Sequence, residues 1–169
     1  NIVVKNCQLG AQPTGITCKV QEVNKLSFIN NQVYPDGREN LVLDACNNCV
    51  IEGNNFKSYY NGILVLNGND NTVNKNIFWL TGAVQNQLLD HGDDFGIINV
   101  KGNNNMVASN SLSCEWAYAG AVTVNAVQGT GNVFKNCFVD NLESYRVFLV
   151  NAQTEVSNCV SSDKVSIVE

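Results

Sequence analysis

The segment LVLDACNNCVIEGNNFKSYYNGILVLNGNDNTVNKNIF, residues 41–78, contains the same short pattern twice. In each copy, an apolar run that ends in Leu43 or Leu66 is followed by one polar residue and one small residue. Each copy then continues to an asparagine, Asn54 or Asn76, that precedes a phenylalanine by two positions. The two columns recur at intervals of 23 and 22 residues, so the segment is part of a repeat.

The repeat extends over the whole chain. Seven asparagines fall at intervals of 25, 23, 22, 34, 26 and 22 residues. A second column of apolar residues recurs at similar intervals. The asparagines are Asn6, Asn31, Asn54, Asn76, Asn110, Asn136 and Asn158; their apolar partners are Val33, Phe56, Phe78, Leu112, Phe138 and Val160; the second column is Leu43, Leu66, Val100, Val124 and Val150. We expect the partners, and Val3, to lie in the core.

Short apolar runs with this period and no helical periodicity predict an all-β fold. The expected architecture is a single-stranded right-handed parallel β-helix, a solenoid of about seven coils of 22–26 residues with one longer insertion. Asparagines stacked at the bends would form hydrogen-bonded ladders. A leucine-rich repeat has a similar period, but the Asn-rich segments do not supply its helical part. We predict one domain over residues 1–169. Because Asn1 begins inside a coil, we expect a fragment of a longer solenoid.

The charge balance limits the possible partners. The chain has 15 acidic and 10 basic residues and a net charge of −5. This argues against binding to nucleic acid or to an anionic membrane surface, which both require a basic face. No apolar run approaches the length of a membrane span, about 20 residues. We therefore predict neither nucleic acid nor membrane as a partner.

The seven cysteines are too irregular in spacing for a disulfide framework. Cys46 and Cys49 form a CxxC pair, but the chain has no second such pair and only one histidine, His91. A structural zinc site would need distant cysteines to converge. We interpret the cysteines as small buried thiols and expect no metal. Free thiols slightly favour a cytoplasmic location, and a secreted one stays open.

One insertion lengthens the repeat by about ten residues and is the first candidate for function. It covers Trp79–Gly96 and contains His91 with Asp90, Asp93 and Asp94. Clustered carboxylates suit acid–base chemistry or ligand contact, because neighbouring charges shift their pKa values. The alternative is an acidic loop that closes a turn. We expect Asp93 and Asp94 to contribute to a site and His91 to matter less.

Two other segments carry side chains suited to sugars. The first, residues 34–39, contains Asp36 and Arg38 in a proline–glycine turn, and an arginine can bind hydroxyls or a carboxylate. The second, residues 114–120, groups Glu115 with Trp116 and Tyr118, a combination typical of a sugar-stacking platform. Tyr59 and Tyr60 are candidates for the same sugar-stacking role. Packing against a loop or a neighbouring subunit is the alternative for these aromatic residues.

The run YPDGRENLVLDACNNCVIEGNNFKSYYNGILVLNG, residues 34–68, followed by LLDHGDDFGIINVKGNNNMVASNSL, residues 88–112, resembles the C-terminal half of inulin fructotransferases. The likeness covers residues 1–112 and is best at four places: Gly37-Arg38, residues 46–49, Asp93-Asp94 and the turn at residues 102–105. The resemblance implies a bacterial carbohydrate-active lyase or glycosyl-transferring enzyme with the pectin-lyase-like right-handed β-helix. Such enzymes act on a fructan by intramolecular fructosyl transfer and release a difructose dianhydride, which some members hydrolyse.

The resemblance also implies a homotrimer whose sites lie where neighbouring β-helices meet, and no cofactor. The family's carboxylate pair aligns upstream of Asn1, and a family glutamate corresponds to Thr14 here. We therefore assign catalysis to no residue of this chain, and its status as an enzyme stays open. Asp36, Arg38, Asp93 and Asp94 are candidates for substrate binding. The alternative function is a non-catalytic trimeric stalk or adhesin, or a polysaccharide-binding module.

Overall fold

The computed structural model describes residues 1–10, 15–34, 39–59, 62–81, 95–115, 122–140, 146–160 and 164–168. These ranges contain twenty short strands and no helix, which confirms the predicted all-β class. Consistent with this, the described residues offer no helix with the length and apolar character needed to cross a membrane.

The strands form three parallel sheets, which we call sheets A, B and C. Sheet A contains β1 (Ile2–Lys5), β4 (Leu26–Ile29), β7 (Val50–Glu52), β10 (Thr72–Asn74), β13 (Met106–Ala108), β16 (Val133–Lys135) and β19 (Glu155–Ser157). Sheet B contains β2 (Gln8–Leu9), β5 (Gln32–Val33), β8 (Asn55–Ser58), β11 (Ile77–Leu80), β14 (Ser111–Cys114) and β17 (Phe138–Asp140). Sheet C contains β3 (Cys18–Gln21), β6 (Leu41–Asp44), β9 (Leu64–Asn67), β12 (Ile98–Val100), β15 (Val124–Ala126), β18 (Phe148–Asn151) and β20 (Val165–Val168).

The chain visits the three sheets in turn, so each coil contributes one strand to each sheet. The described strands make six complete coils and a seventh with strands in sheets A and C only, slightly fewer than predicted. The strands of successive coils pair in parallel, which is the geometry of a β-solenoid. The predicted fold class is therefore confirmed.

Large apolar side chains from all three sheets fill the interior. Phe28, Phe56 and Phe78 stack along the solenoid axis, with ring centroids 6.2 and 4.9 Å apart. All three rings are fully buried. Each stacked pair adds about 0.5–1.5 kcal/mol to the hydrophobic stabilisation of its buried area. Phe56 and Phe78 occupy the same position on β8 and β11 of sheet B, and Phe28 stacks on Phe56 from β4 of sheet A.

The bend from sheet A to sheet B consists of two residues. The first has a left-handed backbone, with φ between 52° and 68° in all seven coils. The second points its side chain inward. The left-handed residues are Asn6, Asn30, Gly53, Lys75, Ser109, Asn136 and Asn158. Asparagine and glycine are common among them because they accept this conformation at lower cost than other residues.

The inward position holds asparagine in four successive coils: Asn31, Asn54, Asn76 and Asn110. We call these four the inner ladder. The Oδ1 of Asn54 accepts hydrogen bonds from the backbone N–H and the Nδ2 of Asn31, at 2.8 and 3.0 Å. Its own Nδ2 donates to Asn76 Oδ1 and to the carbonyl of Phe28. The predicted hydrogen-bonded asparagine ladder is therefore confirmed.

The predicted asparagine column is wrong by one residue at Asn6, Asn136 and Asn158. These three occupy the left-handed position, and Cys7, Cys137 and Cys159 take the inward one. The bend accepts asparagine at both of its positions, so the sequence pattern does not separate them.

Three other core assignments are also corrected. Phe138 is 53% exposed, and Val139 is the buried residue that pairs with Leu112. Val3 is 67% exposed, because β1 pairs the next residue, Val4, with the buried Phe28 and leaves Val3 on the outer face. Val160 is 45% exposed. In the second column, Val124 is buried but pairs with Ile98, two residues before the predicted register.

Candidate functional site

The outer face of sheet B presents two rows of side chains to solvent. Alternation along each strand points every second side chain outward, and parallel pairing places equivalent residues of successive coils side by side. The first row is Gln8, Gln32, Asn55, Ile77, Ser111 and Phe138. The second row contains Lys57, Trp79, Ser113 and Asp140. We call this surface the B face.

Trp79 is the centre of a small polar cluster on the B face. The Nζ atom of Lys57 lies 4.2 Å from the centroid of the Trp79 ring. The indole Nε1 of Trp79 donates a hydrogen bond of 2.9 Å to Oε1 of Glu115. A cation over an exposed indole contributes about 0.5–1 kcal/mol. A cation and a carboxylate therefore hold the indole between them.

The backbone fixes the three members of this cluster. Lys57 and Trp79 are directly paired on β8 and β11. Glu115 follows β14, and its N–H donates to the carbonyl of Leu80 at 3.1 Å, which continues the ladder by one residue. Three neighbouring coils thus each supply one side chain. The tryptophan keeps about a third of its surface exposed, so part of the ring can contact a ligand.

The N-terminal part of the B face is polar and carries a shallow cavity. The cavity has a volume of about 360 Å³ and is lined by Asn6, Cys7, Gln8, Asn30 and Gln32. Beside it, the hydroxyl of Tyr34 donates to Oε1 of Gln32 at 2.8 Å. This bond leaves the Gln32 amide group as a donor. The cavity therefore offers mainly amide donors and acceptors.

The charge on the B face is low and mixed. Lys57 is its cation, and Glu115 and Asp140 are its anions among the described residues. The rest of the two rows consists of amides, hydroxyls and apolar side chains. Hydroxyl-rich neutral ligands suit such a surface, because they pair with amides and carboxylates while their C–H faces contact an aromatic ring. The described residues contain no cluster of three or more His, Cys, Asp or Glu side chains that could bind a metal ion.

The substrate-binding candidates Asp36, Arg38, Asp93 and Asp94 lie outside the described residues, as does His91. In sequence, they belong to two connections that run from sheet B to sheet C. One follows β5, and the other follows β11. Their assignment to a site therefore stays a prediction.

Of the aromatic platform predicted around residues 114–120, the structure describes Glu115, and Trp116 and Tyr118 fall outside the described residues. Glu115 binds Trp79, from the preceding coil. Tyr59 is described and is 49% exposed just after β8. Sequence reasoning placed Trp79 at the start of the insertion and missed its role. The signal was the alternation in IFWL, where Phe78 and Leu80 point inward and Trp79 therefore points outward.

All seven cysteines are among the described residues, and all are free thiols. Cys46 and Cys49 are buried, as are Cys137 and Cys159, which agrees with the interpretation as packed thiols; Cys7 is exposed. Burial raises the pKa of the Cys49 thiol, so Cys49 stays protonated at neutral pH. The CxxC pair is thus part of the core.

Known proteins place this geometry in context. The family model described as "Right handed beta helix region" matches residues 14–167. Crystal structures of DFA-IIIase from Arthrobacter chlorophenolicus A6 superpose on the chain, and the complex with GF2 gives a TM-score of 0.81 at 20% identity. The form without its lid gives 0.82 at 22%, and a point mutant in complex with DFA-III gives 0.77 at 18%. These matches cover 99% of this chain and 44–47% of the DFA-IIIase chain.

This chain therefore spans less than half the length of the DFA-IIIase structures it matches. At this level of identity the likeness establishes the fold. No curated protein sequence matches the chain.

Proposed function

We propose, on the premise that the chain belongs to the right-handed β-helix family, that its B face binds a neutral oligosaccharide of the fructan class. The observation that carries the proposal is the Lys57–Trp79–Glu115 cluster. The similarity to DFA-IIIase structures that contain GF2 and DFA-III supports the choice of ligand class.

The cluster supplies the three contacts that a sugar requires. The exposed part of the Trp79 indole offers an apolar surface for the C–H groups of a sugar ring. The ammonium group of Lys57 donates hydrogen bonds, and the carboxylate of Glu115 accepts them from hydroxyls. Because Lys57 and Glu115 are already positioned against the indole, little side-chain entropy is lost when a ligand binds.

The low charge of the B face supports a neutral ligand. A polyanionic polysaccharide would meet two carboxylates, Glu115 and Asp140, and one ammonium group, Lys57. Like charges that approach each other without a compensating partner disfavour binding. Fructans carry hydroxyls and no ionised groups, so they avoid this repulsion.

The finer assignment extends the sequence resemblance. The whole protein would act on a fructan by intramolecular fructosyl transfer or hydrolyse difructose anhydride, as a homotrimer, with its carboxylate pair outside this chain. Asp36, Arg38, Asp93 and Asp94 would contact the substrate from the connections that follow β5 and β11. Such chemistry requires a carboxylic acid that protonates the leaving oxygen.

Calorimetric titration of the chain with GF2, inulin and DFA-III tests the proposal. We expect Trp79→Ala to weaken binding tenfold or more, about 1.4 kcal/mol, and Trp79→Phe to weaken it less. The matched control is Ile167→Ala, which removes a 63% exposed apolar side chain from sheet C. Equal affinities for the parent chain and Trp79→Ala would reject the B face as the binding surface.

A second candidate function, a non-catalytic trimeric stalk, is favoured by one observation. Ile77 and Phe138 lie two strands apart in the first row of the B face and are 50% and 53% exposed. Apolar side chains at such positions suit a subunit interface. Analytical ultracentrifugation of the parent chain and Phe138→Ser, combined with the titration above, separates the two functions. Self-association that depends on Phe138, with no sugar binding, would favour the stalk.

A further inference from the structure

Cysteine takes the inward position on both sides of the inner ladder, with one cysteine before Asn31 and two after Asn110. Beyond Asn110, the next two coils place Cys137 and Cys159 at the ladder position, since Lys135 and Ser157 pair in register just before them. A buried amide column thus continues as two buried thiols. Thiols make weaker hydrogen bonds than amides, so hydrogen bonding alone does not favour the change.

The two cysteines are in contact. The backbone N–H of Cys137 donates to Sγ of Cys159 at 3.4 Å. The N–H of Val160 donates to the carbonyl of Cys137 at 3.0 Å, which keeps the two coils paired just beyond the thiols. Paired strands lie about 4.8 Å apart, and disulfide-bonded cysteines have Cα separations of about 4.4–6.8 Å. The backbone therefore already satisfies the distance requirement for a disulfide.

We propose that Cys137 and Cys159 are an oxidisable pair that forms a disulfide between two successive coils in the presence of hydrogen peroxide. This inference is independent of the sugar-binding proposal. Cys137 and Cys159 are 3% and 7% exposed, so the oxidant must be about as small as water, as hydrogen peroxide is. Local opening of β19, the strand that precedes Cys159, would uncover the pair.

The chemistry requires one peroxide molecule per disulfide. The thiolate of Cys137 attacks a peroxide oxygen, an S–O bond forms, the O–O bond breaks and hydroxide leaves. The sulfur of Cys159 then attacks Cys137, the S–S bond forms, the S–O bond breaks and a second hydroxide leaves. The two thiol protons neutralise the two hydroxides, so two thiols and one peroxide give one disulfide and two waters.

The hydrogen bonds at the pair support the order of these steps. Hydrogen bonding between the two side chains lowers the pKa of Cys137 to about 7. The same hydrogen bond, together with burial, raises the pKa of Cys159. Since the thiolate is the nucleophile, Cys137 reacts first and Cys159 resolves the intermediate.

The CxxC pair provides the contrast within the same molecule. Cys46 donates to the carbonyl of Val20 at 3.4 Å, and Cys49 donates to the carbonyl of Asn47 at 3.3 Å. The two belong to one coil and take different positions in its turn, whereas Cys137 and Cys159 share one ladder position. We therefore expect Cys46 and Cys49 to stay reduced under conditions that oxidise Cys137.

Thiol titration and peptide mapping of the folded chain test the proposal. After treatment with hydrogen peroxide, we expect two of the seven thiols to be lost and then restored by dithiothreitol. Trypsin cleaves after Lys135, Arg146 and Lys164, so the two cysteines fall in separate peptides, residues 136–146 and 147–164. These peptides should appear linked, with the mass of two hydrogens lost.

The control variant follows from the ladder itself. Cys137→Asn places at this position the residue that four other coils use, so it keeps the fold while it removes the nucleophile. We expect this variant to retain its remaining thiols under the same treatment. The mapping of the parent chain decides the question even if the variant unfolds. Retention of all seven thiols, oxidation of Cys137 to a sulfinic acid without a link, or a link at Cys46 and Cys49 would each overturn the proposal.

Discussion

The inner ladder and the B face are columns built by the same repeat, one residue per coil, yet they differ in how far their residues vary. In the described coils the ladder position holds asparagine or cysteine, and the four asparagines are buried and bond to neighbouring coils. The first row of the B face changes from glutamine to asparagine, isoleucine, serine and phenylalanine. Solvent satisfies the outer polar groups, so the outer column is free to carry binding side chains.

The largest difference between the two columns should appear in stability. Asn54→Ala removes the acceptor for the N–H and Nδ2 of Asn31 and the donor to the carbonyl of Phe28. Each buried group left without a partner costs about 1–3 kcal/mol, so we expect a loss of about 3 kcal/mol or more in the free energy of unfolding. Urea unfolding measures it.

The matched control is the next residue. Asn55 is exposed on the B face, so Asn55→Ala should change stability by no more than about 0.5 kcal/mol. Asn54→Cys, which copies the residue at position 137, should fall between the two because a thiol restores part of the bonding. A loss below about 1 kcal/mol for Asn54→Ala would show that burial does not make the ladder essential.

The connection between β11 and β12 contains two aspartates that we expect to contact the same ligand as the B face. Asp93→Asn or Asp94→Asn should weaken fructan binding or turnover by the full-length protein tenfold or more, about 1.4 kcal/mol. A positioned carboxylate accepts two hydrogen bonds from sugar hydroxyls, and an amide oxygen replaces only part of this. His91→Ala should have a smaller effect.

The matched control for these variants is a carboxylate that lies far from the B face. Glu22→Gln removes an exposed charge at the turn between β3 and β4 and should leave binding unchanged. If both aspartate variants bind and turn over the fructan as the parent does, the acidic connection only closes a turn.

The sequence predicts the fold well because the core imposes it. Leu43, Leu66 and Val100 recur at one position since each must fill the same space in its coil, and the structure pairs them in register. The sequence does not show which residue takes which of the two positions at the bend. Asparagine satisfies both the left-handed position and the ladder position, and only contacts between coils show that Asn136 takes the first and Cys137 the second.

The candidate site was less predictable for a physical reason. The partner of Glu115 is Trp79, 36 residues earlier, and the solenoid brings the two together by stacking β14 on β11. Sequence reasoning grouped Glu115 with its chain neighbour Trp116. In a solenoid, contacts on an outer face connect residues one coil apart, so a site must be sought at the period of the repeat rather than along the chain.

The smallest expected effect concerns an outer column on sheet C. The Asp44 carboxylate accepts hydrogen bonds from Gln21 and Asn67 at 2.9 Å, and Lys19 lies 3.6 Å away. The hydrogen bond from Gln21, then that from Asn67 and the charge of Lys19, hold the pKa of Asp44 below its ordinary value. A lowered folded pKa contributes stability that is present above the unfolded pKa, about 3.9, and is lost as pH falls through the folded pKa.

Asp44→Asn should therefore reduce stability slightly at pH 7 and flatten its decline in acid, as urea unfolding at neutral and acidic pH would show. Added salt should weaken the contribution of Lys19 in the parent chain, because the pair is partly exposed. If Asp44→Asn lost as much stability as Asn54→Ala, the result would contradict the difference between inner and outer columns. It would mean that hydrogen bonds between coils stabilise the solenoid equally inside and outside, and that burial is not what distinguishes the inner ladder.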